Sequence, residues 1–183
     1  MYELLVLGRL VRQPMHGYMI AKIIGRIDGP VRQLQWGTLY PILSRLEAEG
    51  LIRVEETVED GDGRTRKVYA ITEAGRARLH DLLLDTEHHA GDYATIFAHK
   101  VALFSELKAE ERLHLSRHYA VYAQQQIDHL ERSRREFSTG LQSLSDERMR
   151  DVLTVMDHRF EYWKNERAWA EQLIARNALK EVV

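Results

Sequence analysis

The sequence predicts a mainly α chain. It reads as an N-terminal winged helix-turn-helix with a two-stranded wing over residues 1–85, then a long-helix antiparallel dimerisation domain over residues 86–183. Three observations carry this reading. Three helix signals precede two short strand candidates, the element order of a winged helix. All three Pro and nine of the 11 Gly lie before residue 80, so the front half is punctuated and the back half is not. Beyond residue 109, apolar residues recur at alternating three- and four-residue spacing, as in a coiled-coil seam.

Leu4, Leu5, Leu7, Leu10 and Val11 follow a helical period and predict a first helix near 2–12, broken by Gln13-Pro14. Met15-His16-Gly17-Tyr18 opens a second helix that buries Ile20, Ala21, Ile24 and Ile27 and ends at Asp28-Gly29-Pro30. Thr38 is the expected N-cap of the third helix, which sets Pro41 in the first turn, where a missing N–H costs nothing. An earlier start would put Pro41 in the helix interior at a cost of about 3 kcal/mol. Leu39, Ile42, Leu43 and Leu46 form its apolar face, Tyr40, Pro41, Ser44, Arg45 and Ala48 the other, and Gly50 its left-handed C-cap. Strands are expected at Leu51–Thr57 and Lys67–Thr72, joined by a tip rich in Gly and Asp. Thr72 then caps a fourth helix beginning at Glu73.

The back half predicts a short helix near 93–107, a long one near 109–138 ended by Thr139-Gly140, and another from Ser145 to about 178. The two long seams run Leu113, Ser116, Ala120, Ala123, Ile127, Leu130, Arg134, Phe137 and Met149, Val152, Met156, Phe160, Trp163, Arg167, Ala170, Ile174. Packed as one hairpin, they leave a long apolar edge. A second copy covers it with twofold symmetry, and the alternative is a monomeric hairpin folded on the winged helix. The dimerisation candidates are Ala120, Ala123, Ile127, Leu130, Met156, Phe160, Trp163, Ala170 and Ile174. Tyr119, Tyr122, Phe160, Tyr162 and Trp163 either fill the core or line a pocket for an aromatic effector, with Arg159 or Arg167 for its carboxylate.

Charge and composition exclude several classes. With 26 Lys and Arg against 28 Asp and Glu, the chain is no polycation, although residues 1–80 carry 12 basic and 10 acidic side chains and residues 81–183 carry 14 and 18. There is no cysteine, hence no disulfide scaffold, thiol nucleophile or iron–sulfur site. No run of about 18 apolar residues exists, and the N-terminus does not read as a signal peptide, so a cytoplasmic protein without a membrane partner is expected. Glu110, His114 and His118 share a helix face, but their order lacks the His-Glu-x-x-His pattern of a metalloprotease. Asp60-Gly61-Asp62-Gly63 lacks the remaining ligands of a calcium loop. No metal, cofactor or enzymatic activity is expected.

What the front half offers is contact with double-stranded DNA. Thr38, Tyr40, Pro41 and Ser44 line the polar side of the third helix, and Arg45 has the reach for a guanine edge. Gln33 and Gln35 precede that helix. Arg64, Thr65, Arg66 and Lys67 belong to the wing and suit phosphates, unless they merely offset Glu59, Asp60 and Asp62. His16 and Tyr18 open the second helix, as a packing turn, as phosphate donors, or both. The reading is a sequence-specific transcriptional regulator; the alternative is a winged helix that docks a protein partner without specific DNA binding.

Several blocks resemble a known family. His16-Gly17-Tyr18, Gly37-Thr38-Leu39-Tyr40-Pro41-Ile42-Leu43, Arg45-Leu46-Glu47, Glu49-Gly50-Leu51-Ile52 and Arg66-Lys67-Val68-Tyr69-Ala70-Ile71-Thr72-Glu73-Ala74-Gly75 are similar to the PadR family of bacterial transcriptional regulators. The long helical back half resembles its phenolic-acid-repressor type, similar also to the virulence activator AphA. The resemblance implies a homodimer on a pseudo-palindromic operator, usually a repressor, in some members released from DNA by a small aromatic molecule.

Overall fold

A computed structural model of the chain describes residues 1–28, 36–59, 65–88, 92–140 and 146–178. It divides into two compact units, Met1–Glu106 and Leu107–Val183.

The front unit begins with α1 (Tyr2–Leu10), a strand β1 (Met15–His16) and α2 (Gly17–Asp28). It continues with α3 (Trp36–Ala48), β2 (Ile52–Glu59), β3 (Thr65–Ile71), α4 (Glu73–Leu84), α5 (Tyr93–Val101) and a 3-10 turn at Phe104–Glu106. The strands form an antiparallel sheet in the order β1-β3-β2. The core is aliphatic: Leu4, Leu5, Leu7 and Leu10 of α1, Ile20 and Ile24 of α2, and Leu39, Leu43 and Leu46 of α3 are buried. Each such side chain contributes about 1.5–3 kcal/mol by leaving water.

Three expectations need correction. Met15-His16 does not open the second helix. It pairs with β3, Met15 opposite Tyr69 and His16 opposite Val68, which makes β3 the central strand. Thr38 is not the N-cap of α3, because the helix already runs from Trp36. Pro41 is therefore its sixth residue, where it lacks the N–H that would bond to the carbonyl of Gly37. The three leucines buried on the opposite face hold the helix in spite of that loss. Finally, the front unit extends past residue 85. Tyr93, Phe97 and Phe104 are buried edge to face, with centroids 6.2 and 6.3 Å apart. Leu103 lies over Gly8 of α1 so closely that a Cβ there would collide with it. Arg12 donates to Ser105 Oγ at 3.3 Å. Those contacts carry the boundary to Glu106.

The junctions form as their residues dictate. At the end of α3, Leu51 N donates to Leu46 O at 2.9 Å and Gly50 N to Glu47 O at 3.0 Å, with Gly50 at φ 70°. That is a Schellman cap, and it needs the left-handed residue glycine supplies. Thr72 caps α4 by accepting from Gly75 N at 3.1 Å, and its hydroxyl donates to Gly50 O at 2.7 Å. One threonine thus ties the end of α3 to the start of α4. Between Val54 and Glu56 the β2–β3 register slips by one residue, a bulge that adds twist to the wing.

The second unit is α6 (Ala109–Gly140) and α7 (Asp146–Ala178), packed antiparallel. Tyr119 meets Trp169, Tyr122 meets Trp163, and Arg134 pairs with Asp157 at 2.8 Å, so rising positions on α6 meet falling ones on α7. Among the described residues, no helix is long and apolar enough to cross a membrane.

Candidate nucleic-acid interface

The residues of α3 divide by the 3.6-residue period into distinct faces. Leu39, Leu43 and Leu46 are buried. Opposite them lie Gly37, Pro41, Ser44 and Ala48, all exposed. Tyr40, 53% exposed, flanks this strip on the side of Glu47, and Thr38 flanks it on the side of Arg45. The exposed strip carries a hydroxyl, a flat apolar ring and an adjacent phenol, and no charge.

Each flank is fixed to a different neighbour. On the wing side, Lys67 Nζ of β3 lies 3.5 Å from Glu47 Oε2. Tyr69, buried in β3, has its phenol pKa pushed up by desolvation and further by Glu47 and Tyr40. On the other flank, Arg45 donates to Glu49 Oε1 and to Glu3 Oε2, both at 3.1 Å. Glu3 Oε1 also accepts from Arg78 Nε of α4 at 2.7 Å. Desolvation raises the Glu3 carboxyl, but the hydrogen bonds and charges of Arg78 and Arg45 outweigh it and hold the pKa below the ordinary carboxylate value. Arg45 is thus engaged within the unit rather than extended from it.

Arg66 and Lys67 are exposed on β3, where Thr57 and Val58 of β2 pair with them. Tyr18 is 51% exposed at the start of α2, and Lys22 Nζ lies 5.9 Å from its ring centroid. His16 is half-buried in β1, with Nδ1 enclosed and unbonded. Gln33, Gln35 and Arg64 lie outside the described residues, as does the side chain of Thr65. Sequence reasoning did not single out Glu3, Glu47, Tyr69 or Arg78. The period of α3 was enough to place Glu47 beside Tyr40, but nothing local links Glu3 to Arg45 across 42 positions.

The second unit holds the remaining candidates. Ala123, Ile127 and Ala170 are buried, so their surface is already used within a single chain. Ala120, Leu130, Met156, Phe160, Trp163 and Ile174 are only half-buried. The aromatic residues form a ladder. Tyr119 stacks on Tyr122 at 6.3 Å, and Trp163 stands edge-on to Tyr122 at 5.6 Å and to Tyr162 at 5.1 Å. The Tyr119 hydroxyl donates to Glu166, and burial with that partner raises its pKa. Arg159 is exposed. These rings pack on one another. In the front unit, by contrast, a cavity of about 330 Å³ is lined by Gly8, Arg9, Arg12, Gln13, Met15, Ile23, Ala102 and Leu103. Among the described residues, no group of three or more His, Asp or Glu is placed to hold a metal.

Residues 6–81 match the transcriptional regulator PadR-like family. The matched stretch lies wholly within the front unit, and the family it resembles is one of transcriptional regulators. A transcriptional regulator of Mycobacterium tuberculosis is 60% identical over 43 residues, 24% of this chain and 38% of that protein, so the match spans well under half of that relative. The negative transcriptional regulator PadR of Bacillus subtilis is 25% identical over 93% of both chains. Its crystal structure in complex with operator DNA covers 96% of this chain and 98% of that chain, at 23% identity and TM-score 0.44. Its structure with p-coumaric acid covers 96% and 94%, at 21% identity and TM-score 0.41. The PadR-like match ends at residue 81, just inside α4, and leaves α5 to α7 outside it.

Proposed function

We propose that the chain is a homodimeric repressor that binds a pseudo-palindromic DNA operator through α3 and the wing. The observation that carries this is the exposed, uncharged strip of Pro41 and Ser44, flanked by Thr38 and Tyr40, with exposed Arg66 and Lys67 on the neighbouring hairpin. A strip without charge suits base edges, where hydrogen bonds and apolar contacts discriminate. Cations on a hairpin suit phosphates, which supply affinity without sequence. Tyr18 and His16 add donors at the start of α2, and Gln33, Gln35, Arg64 and Thr65, neighbours in sequence of α3 and the wing, are proposed as further contacts. The match of residues 6–81 to a regulator family supports the reading, as does the name of the Bacillus relative.

Dimerisation assigns a role to the half-buried residues of the second unit. Met156, Phe160, Trp163 and Ile174 on α7 and Ala120 and Leu130 on α6 retain surface that a second copy covers. An aromatic carboxylate effector has two candidate places, the ring ladder of Tyr119, Tyr122 and Trp163 with Arg159, and the cavity lined by Arg9 and Arg12, and p-coumaric acid is the first probe.

The test is a fluorescence-anisotropy titration against DNA from upstream of the protein's own gene, at two salt concentrations, with and without p-coumaric acid. The reading expects tight binding that weakens steeply with salt, with a slope near −0.9 per phosphate neutralised. Binding indifferent to salt and sequence would favour the protein-docking alternative instead.

A further inference from the structure

Arg45 stands beside the exposed strip of α3, yet its guanidinium is held at the surface by acceptors of its own unit. It donates to Glu3 of α1 and to Glu49, both at 3.1 Å, while Arg78 of α4 donates to the other oxygen of Glu3 at 2.7 Å. One carboxylate, 15% exposed, therefore joins three helices. Reaching a base edge would require Arg45 to leave both acceptors and strip a partly buried carboxylate of one of its two cations.

Apart from the Thr72 hydroxyl on the Gly50 carbonyl at its C-terminal end, the rest of the α3 contact surface is less directional. Leu39, Leu43 and Leu46 hold the helix by apolar burial, which is not itself directional. The Lys67–Glu47 pair on the opposite flank is longer, at 3.5 Å, and more exposed. Charge-assisted hydrogen bonds from a rigid guanidinium do fix an angle. A rotation of roughly 20° moves a side-chain tip about 5–6 Å from the helix axis by roughly 2 Å. That displacement separates a made hydrogen bond from a lost one.

We infer that Glu3 is a positioning residue for DNA recognition, and that Arg45 acts through it rather than by reading a base. The Arg45–Glu3–Arg78 bridge sets the rotation of α3 on α1 and α4, and so decides how Pro41, Ser44 and Tyr40 meet the groove. This rests on the DNA-binding reading proposed above.

The test compares the wild-type protein with Glu3→Gln, Arg45→Ala and the double variant. Each is titrated against DNA from upstream of its own gene, against single-base-pair variants of the bound site, and against unrelated DNA. Each single change is expected to weaken specific binding by roughly three- to tenfold. The loss should be uniform across base-pair variants, leave unrelated DNA unaffected, and grow no further in the double variant. Relaxed discrimination at one base pair in Arg45→Ala, with Glu3→Gln silent, would make Arg45 a base reader and overturn the inference. Additive losses would overturn it as well. Arg45→Gln replaces Arg45→Ala if the latter fails to fold. Wild-type protein that binds no DNA specifically defeats the DNA reading itself, and that result appears before any variant is compared.

Discussion

Ser44 and Lys67 do different work in this account, and salt separates them. Ser44→Ala or Thr38→Ala is expected to lower specific affinity several-fold and leave the salt slope as it was, because no phosphate charge is neutralised by a hydroxyl. Lys67→Ala should reduce the slope by about 1 or less, since Glu47 already balances part of its charge. Anisotropy titrations over a range of salt concentrations read both. Lys100 gives a prediction independent of DNA. It is 2% exposed and donates to the backbone carbonyl of Asp85. Burial lowers its pKa to about 8, with Asp85 opposing in part. Unfolded, a lysine titrates near 10.4. Between about pH 8 and 10 the unfolded chain therefore binds a proton that the folded chain has lost, and stability rises with pH. Below pH 8 both states are charged and the cost of burying the ammonium is complete. Melting temperatures of the wild type relative to Lys100→Met should accordingly rise from pH 7 to pH 9.5; a difference independent of pH would show that Lys100 does not titrate there. At this scale the sequence was partly legible. The exposure of Tyr40, Pro41 and Ser44 followed from helical period alone, whereas Thr38 was read as an N-cap. The engagement of Arg45 did not, because its partner is 42 residues away and no local pattern carries that distance.

The helix ends were the most legible elements, since caps are local chemistry. Thr72 and Gly50 could be named from their own types and neighbours, and the structure uses both as caps. β1 could not, because two residues have no period, and the pairing of Met15-His16 depends wholly on Tyr69 and Val68. The start of α3 was misjudged for a related reason. Propensity places Pro41 in a first turn, and tertiary burial of three leucines outweighs it. At Gly75, a Cβ would lie within contact of the backbone carbonyl of Leu51, and that carbonyl is held by Thr72 N at 3.1 Å. Backbone so held cannot retreat as a flexible side chain would. Gly75→Ala is expected to cost about 2–4 kcal/mol in chemical denaturation. Gly50→Ala, strained at φ 70° but with open space around the site, should cost only about 1 kcal/mol. Equal costs would mean that the Leu51 carbonyl yields to a Cβ at Gly75 after all.

For the whole molecule, composition revealed two parts but not their boundary, because Gly91 before α5 reads equally as part of a linker or as a turn within the front unit. The aromatic residues of α5 bury with that unit. The hairpin of α6 and α7 leaves Met156, Phe160 and Trp163 half-buried. If a second copy completes that surface, sedimentation gives about twice 21.4 kDa for the wild type. Met156→Glu should shift it towards the monomer and weaken operator binding while the winged helix stays folded. The central claim is that paired α3 helices read a specific DNA site, and selection from sheared genomic DNA tests it most directly. Protein is incubated with fragments in excess unrelated competitor at physiological salt, and the retained DNA is sequenced. The account predicts enrichment of a pseudo-palindrome whose half-site centres lie about 10 base pairs apart or a multiple of that, lost in Ser44→Ala. Retained fragments that share no sequence, or retention unchanged by Ser44→Ala, would contradict it.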